Sequence, residues 1–309
     1  MMKLILAVLV FLFSSYCTTF AQERADSNLG EEIERWASLD DEAIDQVTKR
    51  NLVRIAWAIH AYLEDNEGAL PPAAVPNDDI KAEKRLSGFV LLLPYIGVKP
   101  SYLDEEDEKW KKWRSDPAET KKLFDSIDLS KAWDDPANEE AAKTAASCFV
   151  VPQGGEYRNE AGYGLSHFAM VRGGVREDGT GLDNGPFPLK ADSPLFIKDI
   201  KDGTINTLSV GQIHEELGPW IAAGGSTARH VIHPEVEAAD GLVGFGSPHR
   251  GGGYFSNCDS FVYFFDFAAV SPDLMYGLSG RNDQIGVPRD RSEFNFESAL
   301  QWKNSKEEK

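Results

Sequence analysis

Apolar positions along the chain fall into three textures. Leu4–Phe13 is an unbroken run of ten apolar residues behind a single Lys3. Residues 22–39 are polar and acidic. Then Ile44, Val47, Leu52, Ile55, Ile59 and Tyr62 recur at helical spacing and predict one long amphipathic helix over 40–66. Ser38 with Asp41 three residues on has the form of a capping box at its start, and Gly68 with Pro71-Pro72 ends it. His60 lies at the edge of the stripe and reads as structural. Leu86–Ile96 is a dense apolar run interrupted by Pro94, and its composition requires burial. Asp104–Arg114, with acids first, bases last and Trp110 and Trp113 on one face, predicts a second helix. Asp116-Pro117 opens a short helix through Phe124, and Asn138–Ala146 predicts another.

After residue 147 the pattern changes. Cys148–Val151, Leu165–Val171, Thr207–Ile213, Leu242–Phe245, Gly253–Cys258 and Phe261–Ala269 are short runs of Val, Ile and aromatics separated by Gly, Asp, Asn and Pro. That is strand chemistry with turn punctuation. Helices first and strands afterwards predict an α+β fold with an antiparallel sheet, not a βαβ repeat.

The N-terminal run sets the compartment. It is too short for a membrane span, which needs roughly 20 apolar residues. With its basic start and the small triplet Thr19-Phe20-Ala21, it reads as a signal peptide cleaved near Ala21. The other reading is a retained anchor. The expected layout is signal peptide 1–21, polar linker 22–39, folded domain 40–300 and polar tail 301–309, in a secreted, periplasmic or cell-envelope protein with no membrane span in the mature chain. Composition is that of a folded protein. The formal charge of −18, from 32 basic and 50 acidic side chains, argues against nucleic acid as a partner. The basic cluster at Lys109, Lys111, Lys112 and Arg114 therefore reads as a solvated helix face. Cys148 and Cys258 remain after cleavage; two readings stand, a disulfide or two buried thiols.

The candidate chemistry is sparse. No phosphate-binding glycine loop, HExxH, GxSxG or CxxC occurs. His214-Glu215-Glu216 could place His214 and Glu216 on one side of a strand as metal ligands, but reads as a strand end entering solvent. Asp199 and Asp202 could offer oxygen ligands to calcium; the preferred reading is a well-bonded turn, Asp202-Gly203 with Asn206 and Thr207, feeding a strand. His249-Arg250-Gly251-Gly252-Gly253 precedes Asp259 by one hairpin arm, so His249 and Asp259 are expected to form a structural clasp or, less simply, half of a metal or catalytic site. No bound metal or cofactor is expected.

These segments resemble a known family. Asn51-Leu52-x-x-Ile55-x-x-Ala58-Ile59-His60-x-Tyr62 with Leu70-Pro71-Pro72-Ala73, then Leu86-Ser87-x-x-Val90-Leu91-Leu92-Leu93-Pro94-Tyr95, then Leu129-x-x-Ala132-Trp133-Asp134-Asp135-Pro136-x-Asn138, then Asp199-Ile200-x-Asp202-Gly203-Thr204-x-Asn206-Thr207 follow in order. Gly246-Ser247-x-His249-x-Gly251-Gly252 running to Asp259 and Val262 completes the series. Together they resemble the domain-of-unknown-function family 1559, pilin-like secreted proteins abundant in planctomycetes. The resemblance covers roughly residues 45–270. It implies one long helix laid on an antiparallel sheet with long loops, and no particular reaction. The chain departs from the family in three places. A simple signal peptide replaces the apolar prepilin segment, Ser260 replaces the Gly that follows the motif Asp, and Tyr254 replaces an Asn. The expected function is therefore an exported, non-enzymatic protein binding a protein, glycan or surface component. The competing expectation is a metal-assisted hydrolase using His249 and Asp259, with Glu216 as a further ligand.

Overall fold

A computed structural model describes residues 39–152, 157–190, 193–239, 241–248 and 250–282. The signal segment, Ser38 and the polar tail lie outside them. The fold is mixed α+β. Helices α1 (Asp41–Asp65), α2 (Gly88–Leu92), α3 (Glu108–Trp113), α4 (Pro117–Asp125) and α5 (Glu139–Lys143) come first. Strands β1 (Phe168–Gly174), β2 (Leu208–Gln212), β3 (Ala228–Val231), β4 (Gly252–Asn257) and β5 (Val262–Asp266) follow, then α6 (Pro272–Ser279). Among the described residues no helix is long and apolar enough to cross a membrane.

The long helix forms where the apolar spacing places it. Its N-cap is Asp40, whose Oδ1 accepts from the Ala43 amide at 2.9 Å. Asp41 and Glu42 add negative charge beside the helix N-terminus. At the far end Gly68 adopts φ +83°, and its amide closes on the Leu63 carbonyl at 2.8 Å. The helix is buried on more than one stripe. Leu52, Ile55, Ala58, Ile59 and Leu63 join the main core, while Val53 and Trp57 pack against Trp110 of α3, with indole centroids 5.5 Å apart. Asn51 is also buried, and its amide donates to the Ser147 and Val150 carbonyls.

The sheet runs in the order β3-β1-β2-β4-β5. It is antiparallel except at one edge, where β3 lies parallel to β1. This corrects the fully antiparallel expectation. β3 (Ala-Arg-His-Val) carries two buried polar side chains, so its pattern gives little strand signal. Alternate residues feed two cores. Phe168, Met170 and Tyr254 join α1, Phe89, Phe149 and Trp220 on one face; Ala169, Val171 and Phe255 join Met275 and Leu278 of α6 on the other. Leu208 and Val210, two residues apart, ought to share a face. They fall in different cores because the ladder shifts register between them.

Other segments also differ from the pattern. Cys148–Val151 contains a 3-10 turn at Ser147–Phe149, not a strand. Its carbonyls are taken by the His167 amide and the Asn51 side chain, and Phe149 stacks on Phe89 at 4.7 Å. Leu242–Phe245 joins no ladder. Leu86–Ile96 is buried as expected, as α2 followed by a 3-10 turn through Pro94. The helix predicted over Asn138–Ala146 is the shorter α5, led in by a 3-10 turn at Pro136–Asn138.

Candidate functional site

Two of the sequence motifs, the Asp202-Gly203 turn and the turn carrying Asp259, meet at one end of the sheet, where β2 begins and β4 ends. The turn before β2 is internally bonded. Gly203 takes φ +91°, the Asn206 side chain donates to the Asp202 carbonyl at 3.0 Å, and the Thr207 hydroxyl donates to the Gly203 carbonyl at 3.1 Å. Asp199 caps the preceding 3-10 turn, its Oδ2 accepting from the Phe196 amide at 2.9 Å. Its carboxylate is also near enough to Arg281 to stabilise the guanidinium charge. These residues form a bonded turn, and among the described residues no group of three or more His, Cys, Asp or Glu side chains is placed to hold a metal.

The β4–β5 turn sits directly beside it. The Cys258 amide donates to the Thr207 carbonyl at 2.8 Å, and the Asn257 amide group donates to the Ile205 carbonyl at 2.9 Å. Asn257 Oδ1 accepts from the Asp259 and Phe261 amides at 3.0 and 2.9 Å, folding the turn back on itself. Ser260 takes φ +63°, the left-handed conformation that favours glycine.

Around this turn the surface becomes apolar. Tyr102, Ile205 and Phe261 are 52%, 44% and 47% exposed, three of the five large hydrophobic side chains exposed to that degree among the described residues. Tyr263 stacks near Phe261, centroids 6.4 Å apart. The loop bearing Tyr102 is anchored to α1 by Glu64, whose Oε1 accepts from the Ser101 amide at 3.0 Å and the Ser101 hydroxyl at 2.7 Å. His60 joins the two elements, with Nε2 3.2 Å from the Cys258 carbonyl and its ring against Tyr102. Burial lowers the His60 pKa, opposed by the bond to Cys258 and the nearby Asp259 and Glu64 carboxylates. Asp259 itself is exposed at the rim. His60, on the exit half of the helix, is thus a bridge beneath this surface.

The remaining sequence candidates do not gather here. His249 lies outside the described residues. Its neighbours Arg250 and Gly251 precede β4, whereas Asp259 follows it; a six-residue strand separates them by about 20 Å. Arg250 pairs instead with Asp45 of α1 at 2.7 Å. Gly252 begins β4, too close to the Phe265 carbonyl of β5 for a side chain. Tyr254 lies under Lys49, whose ammonium is 5.2 Å from the ring centre. Glu216 follows β2 at that same remote end, with His214 Nε2 3.5 Å from Glu215, so Glu216 and Asp259 do not converge. Cys148 and Cys258 are both buried, unpaired thiols. Burial pushes Cys148 up to about 12 and Cys258 higher still, far from a reactive thiolate at neutral pH. No protein family matches this chain, and comparison with characterised proteins and with solved structures yields no match either.

Proposed function

We propose that this chain is an exported, non-enzymatic protein of pilin-like build that binds a neutral glycan through the surface formed by Tyr102, Ile205, Phe261 and Tyr263. The observation that carries this reading is the pair of exposed aromatics, Tyr102 and Phe261, beside one turn, with Ile205 exposed nearby and the Asp259 carboxylate at the rim. Aromatic faces take the apolar faces of sugar rings, and carboxylates such as Asp259 accept from sugar hydroxyls. Contiguous exposed apolar surface on a folded protein marks a contact site. The charge of −18 favours a neutral ligand over an acidic polymer. One long helix against β2, β4 and β5 supports the pilin-like description, and the ordered motif series supports the resemblance to family 1559.

Titration calorimetry with a neutral hexose oligosaccharide tests the site. Tyr102→Ala and Phe261→Ala should each weaken binding about tenfold or more without changing the fold. Wild-type protein that takes up no oligosaccharide, yet retains a cell-surface protein in a Phe261-dependent way, would replace the glycan with a protein partner. Mass spectrometry of protein from the cell envelope or medium should show residues 1–21 removed; an intact Met1 on a cytosolic chain would refute export.

A further inference from the structure

A second polar site lies at the other edge of the sheet, where β3 pairs with β1. The ladder shifts register between Val171 and Gly173, leaving Arg172 as the extra residue of a bulge. Bulges re-aim side chains and are common beside functional sites. The following loop is seated on this bulge. The Gly185 amide donates to the Arg172 carbonyl at 2.6 Å, Leu182 to Gly174 at 2.9 Å, and Phe187 to Val171 at 3.2 Å. Gly173 takes φ +142°, and a side chain there would strike Leu182 and Asn184.

This seating presents Asp183 to Arg172, whose Nε donates to Asp183 Oδ1 at 2.8 Å. The two terminal nitrogens of Arg172 have no partner among the described residues, and its side chain is 20% exposed. Those two nitrogens are the prong pair that accepts a planar bidentate anion. On β3, His230 is only 6% exposed, and its buried Nε2 has no hydrogen-bond partner among the described residues. The nearest acidic oxygen, Asp183 Oδ1, is 3.8 Å away, beyond hydrogen-bond reach. The imidazole lies on Gly181, where a methyl group would come within 2.6 Å of the ring. Arg229 binds the Gly225, Gly244, Glu215 and Glu216 carbonyls and so builds the wall. It holds Glu216 at φ +44°, in the left-handed region. A cleft of about 190 Å³ results, lined by Arg172, Arg229, His230, Glu216, Ser226 and Leu242 among others.

We propose that this cleft binds a small organic monocarboxylate, gripped by the terminal nitrogens of Arg172 with a ring N–H of His230 as a further donor. The charge pattern selects the class. Arg172, Arg229 and Arg281 face Asp183, Glu215 and Glu216, three of each sign, so the charges around the cleft balance while His230 is neutral. One proton on His230 then balances one carboxylate, whereas a phosphate dianion stays unbalanced. Leu242 and Val243 give the ligand body an apolar wall. Burial and the Arg172 charge hold His230 down to about 4, with Asp183 opposing. A bound carboxylate raises that value, so binding takes up a proton.

Calorimetry of the full chain with sodium glucuronate tests this, with glucose and inorganic phosphate as controls. Saturable binding of glucuronate, absent for glucose and weaker for phosphate, is expected, tightening severalfold from pH 8 to pH 5.5. Arg172→Gln should weaken it at least tenfold, and His230→Gln should remove the pH dependence. Glucuronate binding by Tyr102→Ala protein should be unchanged, which separates this site from the glycan surface. Should Arg172→Gln fail to fold, the His230 ring signals of the wild-type chain decide by NMR. Their titration must shift upward on adding glucuronate. No saturable binding, tighter binding of phosphate, unchanged affinity in a folded Arg172→Gln variant, or unmoved His230 signals would each overturn the proposal.

Discussion

His60 and Tyr102 meet edge to face, ring centroids 5.2 Å apart and planes at 70°. One ring comes from α1 and the other from the loop before α3, and the contact holds Tyr102 in place while leaving half of it exposed. A side chain fixed before binding loses less entropy when it binds. Replacing His60 with Ala keeps the tyrosine but removes its brace. Such edge-to-face contacts are worth about 0.5–1.5 kcal/mol. Oligosaccharide affinity should therefore drop about three- to tenfold in His60→Ala, read by calorimetry; equal affinity would show that the brace is irrelevant to binding.

Ser260→Gly should stabilise the protein. Ser260 occupies left-handed backbone, which costs a non-glycine residue about 1–2 kcal/mol. The added freedom of glycine in the unfolded chain offsets part of this. A net gain of about 1 kcal/mol in urea unfolding is expected, and a loss would contradict the backbone reading.

Stability should decline on mild acidification through His167. This residue is buried, its Nδ1 has no partner among the described residues, and burial holds its pKa down to about 4. The unfolded chain takes up a proton near pH 6.5, and the native protein does so only near pH 4. Stability is therefore fully present above about 6.5, falls with pH through that window, and levels off below it. The whole effect is about 3 kcal/mol. Urea midpoints against pH should show a shallower fall for His167→Leu than for wild type; parallel curves would exclude His167 as a source.

Ile59→Asp should unfold the domain. Ile59 is 4% exposed in the main core, and the substitution buries a carboxylate with no countercharge. A loss of about 4 kcal/mol or more is expected in urea unfolding. A normal midpoint would remove the long helix from the structural core.

The elements that read clearly in the sequence are those whose pattern and punctuation agree. Asp116-Pro117 starts α4 as cap and first residue, and Gly68 ends α1 in left-handed backbone. Strands β2, β4 and β5 follow their aromatic and branched runs. β3 was not legible because Arg229 and His230 are buried for reasons the local pattern does not carry: carbonyl bonding in one case and a glycine platform in the other. α6 did carry a signal, Ser271 capping a helix with Pro272 at its first position, but it is short and followed a strand-like stretch. Of the candidate site, the two turns were legible as turns. Their adjacency was not, since Thr207 meets Cys258 only through backbone bonds across β2 and β4. Tyr102, at the start of an unremarkable loop, had no sequence signal at all.

β3 follows β2 in the chain yet lies beyond β1 in the sheet, pairing Met170 with Ala228. Such a strand can dock only after β1 offers an edge, and long-range parallel pairing is slow to form because loop closure precedes its reward. The Arg172–His230 edge should therefore form after the β1–β2–β4 centre. Amide hydrogens of Ala228–Val231 should exchange faster than those of β2 and β4 at the centre. A carboxylate bridging Arg172 of β1 to His230 of β3 would then act as a fastener across that seam, and its affinity would be repaid as slower opening of the strand.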